Sequence, residues 1–191
     1  MIALSTARDG AGRPGAKTMI LGMSVGAFTT LHVIISLIAI LAGLVVLFAM
    51  IANRRLNGVT ALFLLTTVLT SVTGFFFHSK AIGPPHIVSV ISLVVLAIAL
   101  WALYGRKLVG VWRPVYVVTA VLALYLNCFV AVAQAFDKIP ALHALAPKGT
   151  EPPFAVAQGV TLVLFIVLGY LAMRAYRPGP TPMAASAAGM A

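Results

Sequence analysis

Acid is nearly missing from this chain. Asp9, Asp137 and Glu151 are its only carboxylates in 191 residues, against 13 Lys and Arg, and the formal net charge is +10. Charged residues of both signs make up 8% and apolar residues 62%, where a soluble domain carries roughly 25% and 45–50%. So little charge cannot clothe a surface that faces water all round, and the bilayer is the solvent that fits. Cysteine is scarce too. Cys128 stands alone inside an apolar run, which excludes an intrachain disulfide and leaves an inert thiol. Also missing are a Gly-rich phosphate loop, a nucleophile elbow, paired catalytic carboxylates, a Cys-x-x-Cys pair and a His-x-x-x-His pair on one span, so no standard hydrolase, nucleotide or zinc signature is present. Short alternating segments of the β-barrel kind are absent as well.

What is there is a series of long apolar runs separated by short polar turns. The pattern predicts an all-α integral membrane bundle of five transmembrane helices, at about 28–52, 59–78, 86–104, 114–136 and 154–173. Each has about 19–25 residues, which at roughly 1.5 Å per residue crosses a 30 Å hydrocarbon layer. Residues 1–17 read as a flexible polar tail, 18–177 as one transmembrane domain, and the proline-rich and Ala/Gly/Ser segment 178–191 as a disordered tail. The apolar run from Met19 to Ile51 is far longer than the core of a cleaved signal, so it is expected to be retained. Basic residues lie in the turns and tails, which suits anchoring at anionic headgroups rather than binding nucleic acid. Arg54, Arg55, Arg106, Lys107, Arg113, Arg174 and Arg177 cluster beside the spans on one side. The positive-inside bias therefore puts the C-terminus inside and the N-terminus outside.

Five spans send the titratable residues to one rim. His32 lies near the start of the first span, His78 and His86 flank the Gly83-Pro84-Pro85 turn between the second and third, and Gln134 closes the fourth. Asp137, His143 and Glu151 follow in the longest loop, and Gln158 is one turn into the fifth span. Helical spacing aligns His32, Ser36, Ala39 and Gly43 on the first span, and Thr67, Ser71, Gly74 and His78 on the second. Thr119, Asn127 and Gln134 mark the fourth span, and Gln158, Thr161 and Phe165 the fifth. Small and polar stripes of this kind pack membrane helices together, and Asn or Gln can bond across the interface. Thr66, Thr67, Thr70 and Thr73 can also bond to carbonyls one turn back. The histidines admit either reading: interfacial groups bonded to backbone, or ligands of a haem iron or divalent metal. The loop over 137–153 can cover that rim or simply lie at the interface.

Ser71-Val-Thr-Gly-Phe75, Pro84-Pro-His86 and Glu151-Pro-Pro-Phe154 resemble the pattern of small bacterial inner-membrane protein families to which no activity is assigned. The likeness covers most of residues 28–174. The architecture is also loosely similar to haem b proteins of the cytochrome b561 type. That resemblance implies histidine ligation, but the paired ligands of that type near both membrane surfaces are not reproduced here.

The expectation is therefore a multi-pass inner-membrane protein with a shallow site lined by His32, His78 and His86, holding one haem b or a divalent ion. Gln134 and Gln158 would supply hydrogen bonds, with Asp137, His143 and Glu151 in the covering loop. The alternative is a non-catalytic scaffold that meets a second copy or another subunit of a membrane complex. A small permease ranks behind both, because no charged residue falls near midplane and no proline breaks a span.

Overall fold

The computed structural model describes residues 19–20, 23–76 and 84–177. His78, the 1–17 tail and the 178–191 tail lie outside the described residues. A two-residue antiparallel pair, β1 (Met19–Ile20) with β2 (Met23–Ser24), leads into α1 (Val25–Ile51). Then come α2 (Asn57–Gly74), α3 (Pro84–Leu100), α4 (Trp112–Lys138), the single turn α5 (Pro140–His143) and α6 (Pro152–Ala175). A π-turn, Trp101–Gly105, extends α3. Five of these helices are long and apolar enough to cross a membrane. The protein is an all-α, multi-pass membrane bundle.

Most helices run two or three residues past the ends expected from composition, because the chain caps itself with its polar flanks. Ser24 precedes α1 and its hydroxyl accepts from Ala27 N at 3.3 Å, which satisfies an amide that has no partner within the helix. Pro152 and Pro153 open α6 at the positions where a missing N–H costs nothing. The exception is α2, which stops at Gly74 instead of continuing to 78. At the other end of α1, Asn53 takes the left-handed conformation at φ 53°. Arg54 N then reaches Ala49 O at 2.8 Å and Asn53 N reaches Met50 O at 3.0 Å, the two closing bonds of a Schellman motif.

The spans form a ring in the order α1, α2, α3, α4, α6 and back to α1, with α4 also touching α1 across it. α4 is the most enclosed span and α6 the least. On α6 only Gln158, Phe165 and Ala172 are buried, one face at seven-residue spacing, and the rest of its apolar surface is left for lipid. The core between the helices is built from Leu47, Phe63, Leu64, Leu96, Val117 and Leu124. Gly43 on α1 permits the closest approach. A Cβ there would stand 2.5 Å from Leu124 Cδ1 and 2.8 Å from the Phe63 ring.

Candidate functional site

The hydroxyls of α2 organise the polar interior. Thr67 Oγ1 donates to Phe63 O at 2.8 Å, and Thr73 Oγ1 donates to Leu69 O at 2.7 Å. Each bond shields a hydroxyl proton inside the helix itself, as expected for threonine in hydrocarbon. A hydroxyl has one proton and two lone pairs. With the proton committed to the backbone, each oxygen can only accept from a neighbouring helix. Asn127 Nδ2 on α4 donates to Thr67 Oγ1 at 3.1 Å. On α1, His32 Nδ1 lies 2.7 Å from Thr73 Oγ1. Ser71 Oγ pairs with Ser92 Oγ of α3 at 3.0 Å and also reaches Thr67 O at 2.9 Å. Ser36 Oγ bonds His32 O at 2.8 Å and meets Thr70 Oγ1 at 3.4 Å.

This arrangement changes which face does what. The spacing put Thr67, Ser71, Gly74 and His78 on one stripe, which would face the α1 stripe of His32 and Ser36 if those spans packed by their small residues. That α2 stripe instead meets α3 and α4: Thr67 receives Asn127, Ser71 pairs with Ser92, and a Cβ on Gly74 would stand 2.9 Å from Ser89 Oγ. It is Thr70 and Thr73 that meet α1. A helix so rich in threonine is polar on two faces, and a single four-and-seven stripe cannot separate them.

With the Thr73 proton on the Leu69 carbonyl, the contact fits His32 as the tautomer that carries its hydrogen on Nδ1. His86, at the start of α3, packs edge-on to Phe75 at 6.0 Å between ring centroids. His32 and His86 therefore flank the same end of α2, one from α1 and one from α3.

The remaining expected residues are spread over that end. Gln134 is exposed. Asp137 pairs with Lys138 at 3.2 Å, and both are solvent-exposed. His143 is exposed on α5, which packs against α4 alone among the described helices. The loop is closed by Phe136 and Phe154, edge to face at 5.4 Å, and not by the histidines. Glu151 accepts from Lys148 N and Thr150 N, each at 3.0 Å. Desolvation in the loop pushes its carboxyl up, but the backbone N–H groups of Thr150, Glu151, Lys148 and Gly149 outweigh this and hold it below its ordinary value. Gln158 is buried, and its Nε2 donates to Phe129 O at 3.0 Å on α4. Among the described residues its Oε1 is the buried side-chain atom left without a hydrogen-bond partner. The carbonyl of Phe129 fixes the amide's orientation, since turning it would set two acceptors together. Among the described residues no three of His, Cys, Asp and Glu gather as a metal-binding group.

The opposite end carries a second set of polar contacts that the sequence reading treated only as topology signals. Arg113 Nη1 donates to the α6 carbonyls of Met173, at 3.2 Å, and Tyr176. Asn53 Oδ1 accepts from Arg177 N at 2.8 Å. Arg106 lies over the Trp112 ring at 5.3 Å and Arg174 over Tyr170 at 5.7 Å. The signal available in the sequence was the density of arginine beside tyrosine and tryptophan at span ends.

No family model, curated protein or solved structure matches this chain.

Proposed function

We propose that this is a bacterial inner-membrane protein, with its N-terminus outside and C-terminus inside, whose activity centres on a shallow ligand site built on His32. The carrying observation is the 2.7 Å contact between His32 Nδ1 and Thr73 Oγ1, whose own proton goes to the backbone. Histidines that bind metals or haem iron donate the other ring N–H to an acceptor that fixes the tautomer and ring direction, as Thr73 does here. His32 would be a ligand of a haem iron, and a divalent ion would need more ligands than the described residues gather around it. A bound haem b would supply one-electron chemistry and a divalent ion Lewis acidity. The chain's own part is to hold the imidazole oriented and half-buried.

The test is an absorption spectrum with metal analysis of the purified protein. A Soret band or a stoichiometric metal is expected in the wild type. It should disappear in His32→Ala and shift or weaken about tenfold in occupancy in Thr73→Val, as for loss of an outer-shell partner. A wild-type protein with neither haem nor metal ends this reading.

A scaffold is the second reading, favoured by the pairing of Asn127, Ser92 and Ser36 with α2, which holds helices together whatever else they do. In that case His32→Ala changes stability or assembly and no spectrum.

A further inference from the structure

At the arginine end, the last turn of α1, the first turn of α2, the π-turn and the ends of α4 and α6 converge on a narrow cleft. Its floor holds buried Thr60, Tyr116 and Tyr176. Its mouth holds exposed Arg54, Arg55 and Asn57. The Schellman turn sets this arrangement, because it turns the chain at Asn53 and the Asn53–Arg177 bond then ties the turn to the end of α6. The Tyr116 and Tyr176 rings lie 6.3 Å apart at 42°, and Arg55 interacts with the Tyr176 hydroxyl.

Three observations bear on what such a cleft takes. First, charge is unmatched. The described carboxylates, Asp137 and Glu151, lie at the opposite end of the bundle, and the one ion pair among the described residues is Asp137–Lys138. Among the described residues, the two adjacent guanidinium groups at the mouth thus have no carboxylate partner there. Second, the polar groups around them include donors: the hydroxyls of Thr60, Tyr116 and Tyr176 and the Asn57 amide. Leu56 at the N-cap of α2 makes no side-chain bond, so the first-turn amides add to the same positive field. Third, the interior is small. Its volume is about 10 Å³, room for about one water. A ligand therefore docks a compact head at the mouth and sends nothing bulky inside.

We infer that this cleft binds a phosphate group, carried by an anionic phospholipid of that leaflet or free in solution. Planar guanidinium groups match phosphate oxygens bidentately, which lysine cannot do. The site stands at the other end of the molecule from His32 and is independent of the reading above. The contacts of Arg113, Arg106 and Arg174 with carbonyls and rings explain why those arginines are not part of it.

The experiment uses the full chain in a zwitterionic detergent, titrated with phosphatidylglycerol, phosphatidylcholine or inorganic phosphate and read by native mass spectrometry. One phosphatidylglycerol per chain is expected, held in preference to phosphatidylcholine. Arg54→Gln/Arg55→Gln should weaken it about tenfold, while Lys107→Gln/Arg174→Gln, which removes the same charge from the same rim, should change it less than about twofold. Asn57→Ala removes an exposed amide at the mouth, so a several-fold loss at an unchanged melting temperature supports the site even if the double variant is unstable. Inorganic phosphate that displaces the lipid, or binds alone with the same Arg54/Arg55 dependence, assigns recognition to the phosphate group and identifies a soluble source. Equal losses in both double variants mean diffuse charge and overturn the inference, as does retention of phosphatidylglycerol when Arg54, Arg55 and Asn57 are all replaced.

Discussion

At the arginine end three cations are tied down, Arg113 to the carbonyls that finish α6 and Arg106 and Arg174 to aromatic faces, while the backbone N–H of Arg177 donates to Asn53. At the histidine end, the ionisable rings meet neutral partners, His32 a threonine hydroxyl and His86 the edge of Phe75. The first arrangement secures helix ends that carry unpaired carbonyls and so resists change. The second joins α1 and α3 to the end of α2 through a hydroxyl and an aromatic edge.

Replacing Arg113 breaks the comparison most severely. Arg113→Gln should lose about 2 kcal/mol, the worth of hydrogen bonds from a charged donor, and should speed amide exchange over the last turn of α6 while leaving any His32-dependent spectrum unchanged. A loss under about 0.5 kcal/mol in a reversible unfolding assay would show that the carbonyls are satisfied without it. Next comes the seam that joins the two ends. Thr67→Val strands the Asn127 amide and should cost about 1 kcal/mol. In the Asn127→Leu background the same change should cost much less, and equal costs in both backgrounds would mean the 3.1 Å contact contributes nothing. The smallest effect lies at Glu151. Its carboxyl is held below the ordinary 4.5 by the loop amides, so its contribution is present above that value and is lost as pH falls through the lowered folded value. Exchange at the Lys148 and Thr150 amides should accelerate relative to other loop amides in that window. Glu151→Gln should remove the pH dependence, and a wild-type loop that shows none would discount the two 3.0 Å bonds.

The five helices were legible because a span of hydrocarbon imposes length and composition on whatever crosses it. Their ends were less so. Ser24 lay before the expected start at 28 and Lys138 within the expected 137–153 loop, yet each belongs to a cap or a terminal turn. The rim position of His32, His86, Asp137, His143 and Glu151 was likewise legible, since crossing number alone fixes it. Partners were not. Which face of α2 meets α1 depends on where a threonine hydroxyl sends its proton, and Gln158 chose a backbone carbonyl that no side-chain pattern announces. The arginine cleft was hidden for a different reason: its residues come from all five spans, and each alone looks like an ordinary interfacial anchor.

The ring order has a consequence for how the molecule is made. α1 to α4 each lie beside the helix that follows them in the chain, so those contacts can form as the polypeptide emerges. Closure between α1 and α6 joins the first-made and last-made crossings, which run in the same direction because the count is odd. That seam must wait for the whole polypeptide, and a nascent chain stalled before Pro152 would present lipid with the uncovered α1–α4 contact that α6 later overlies.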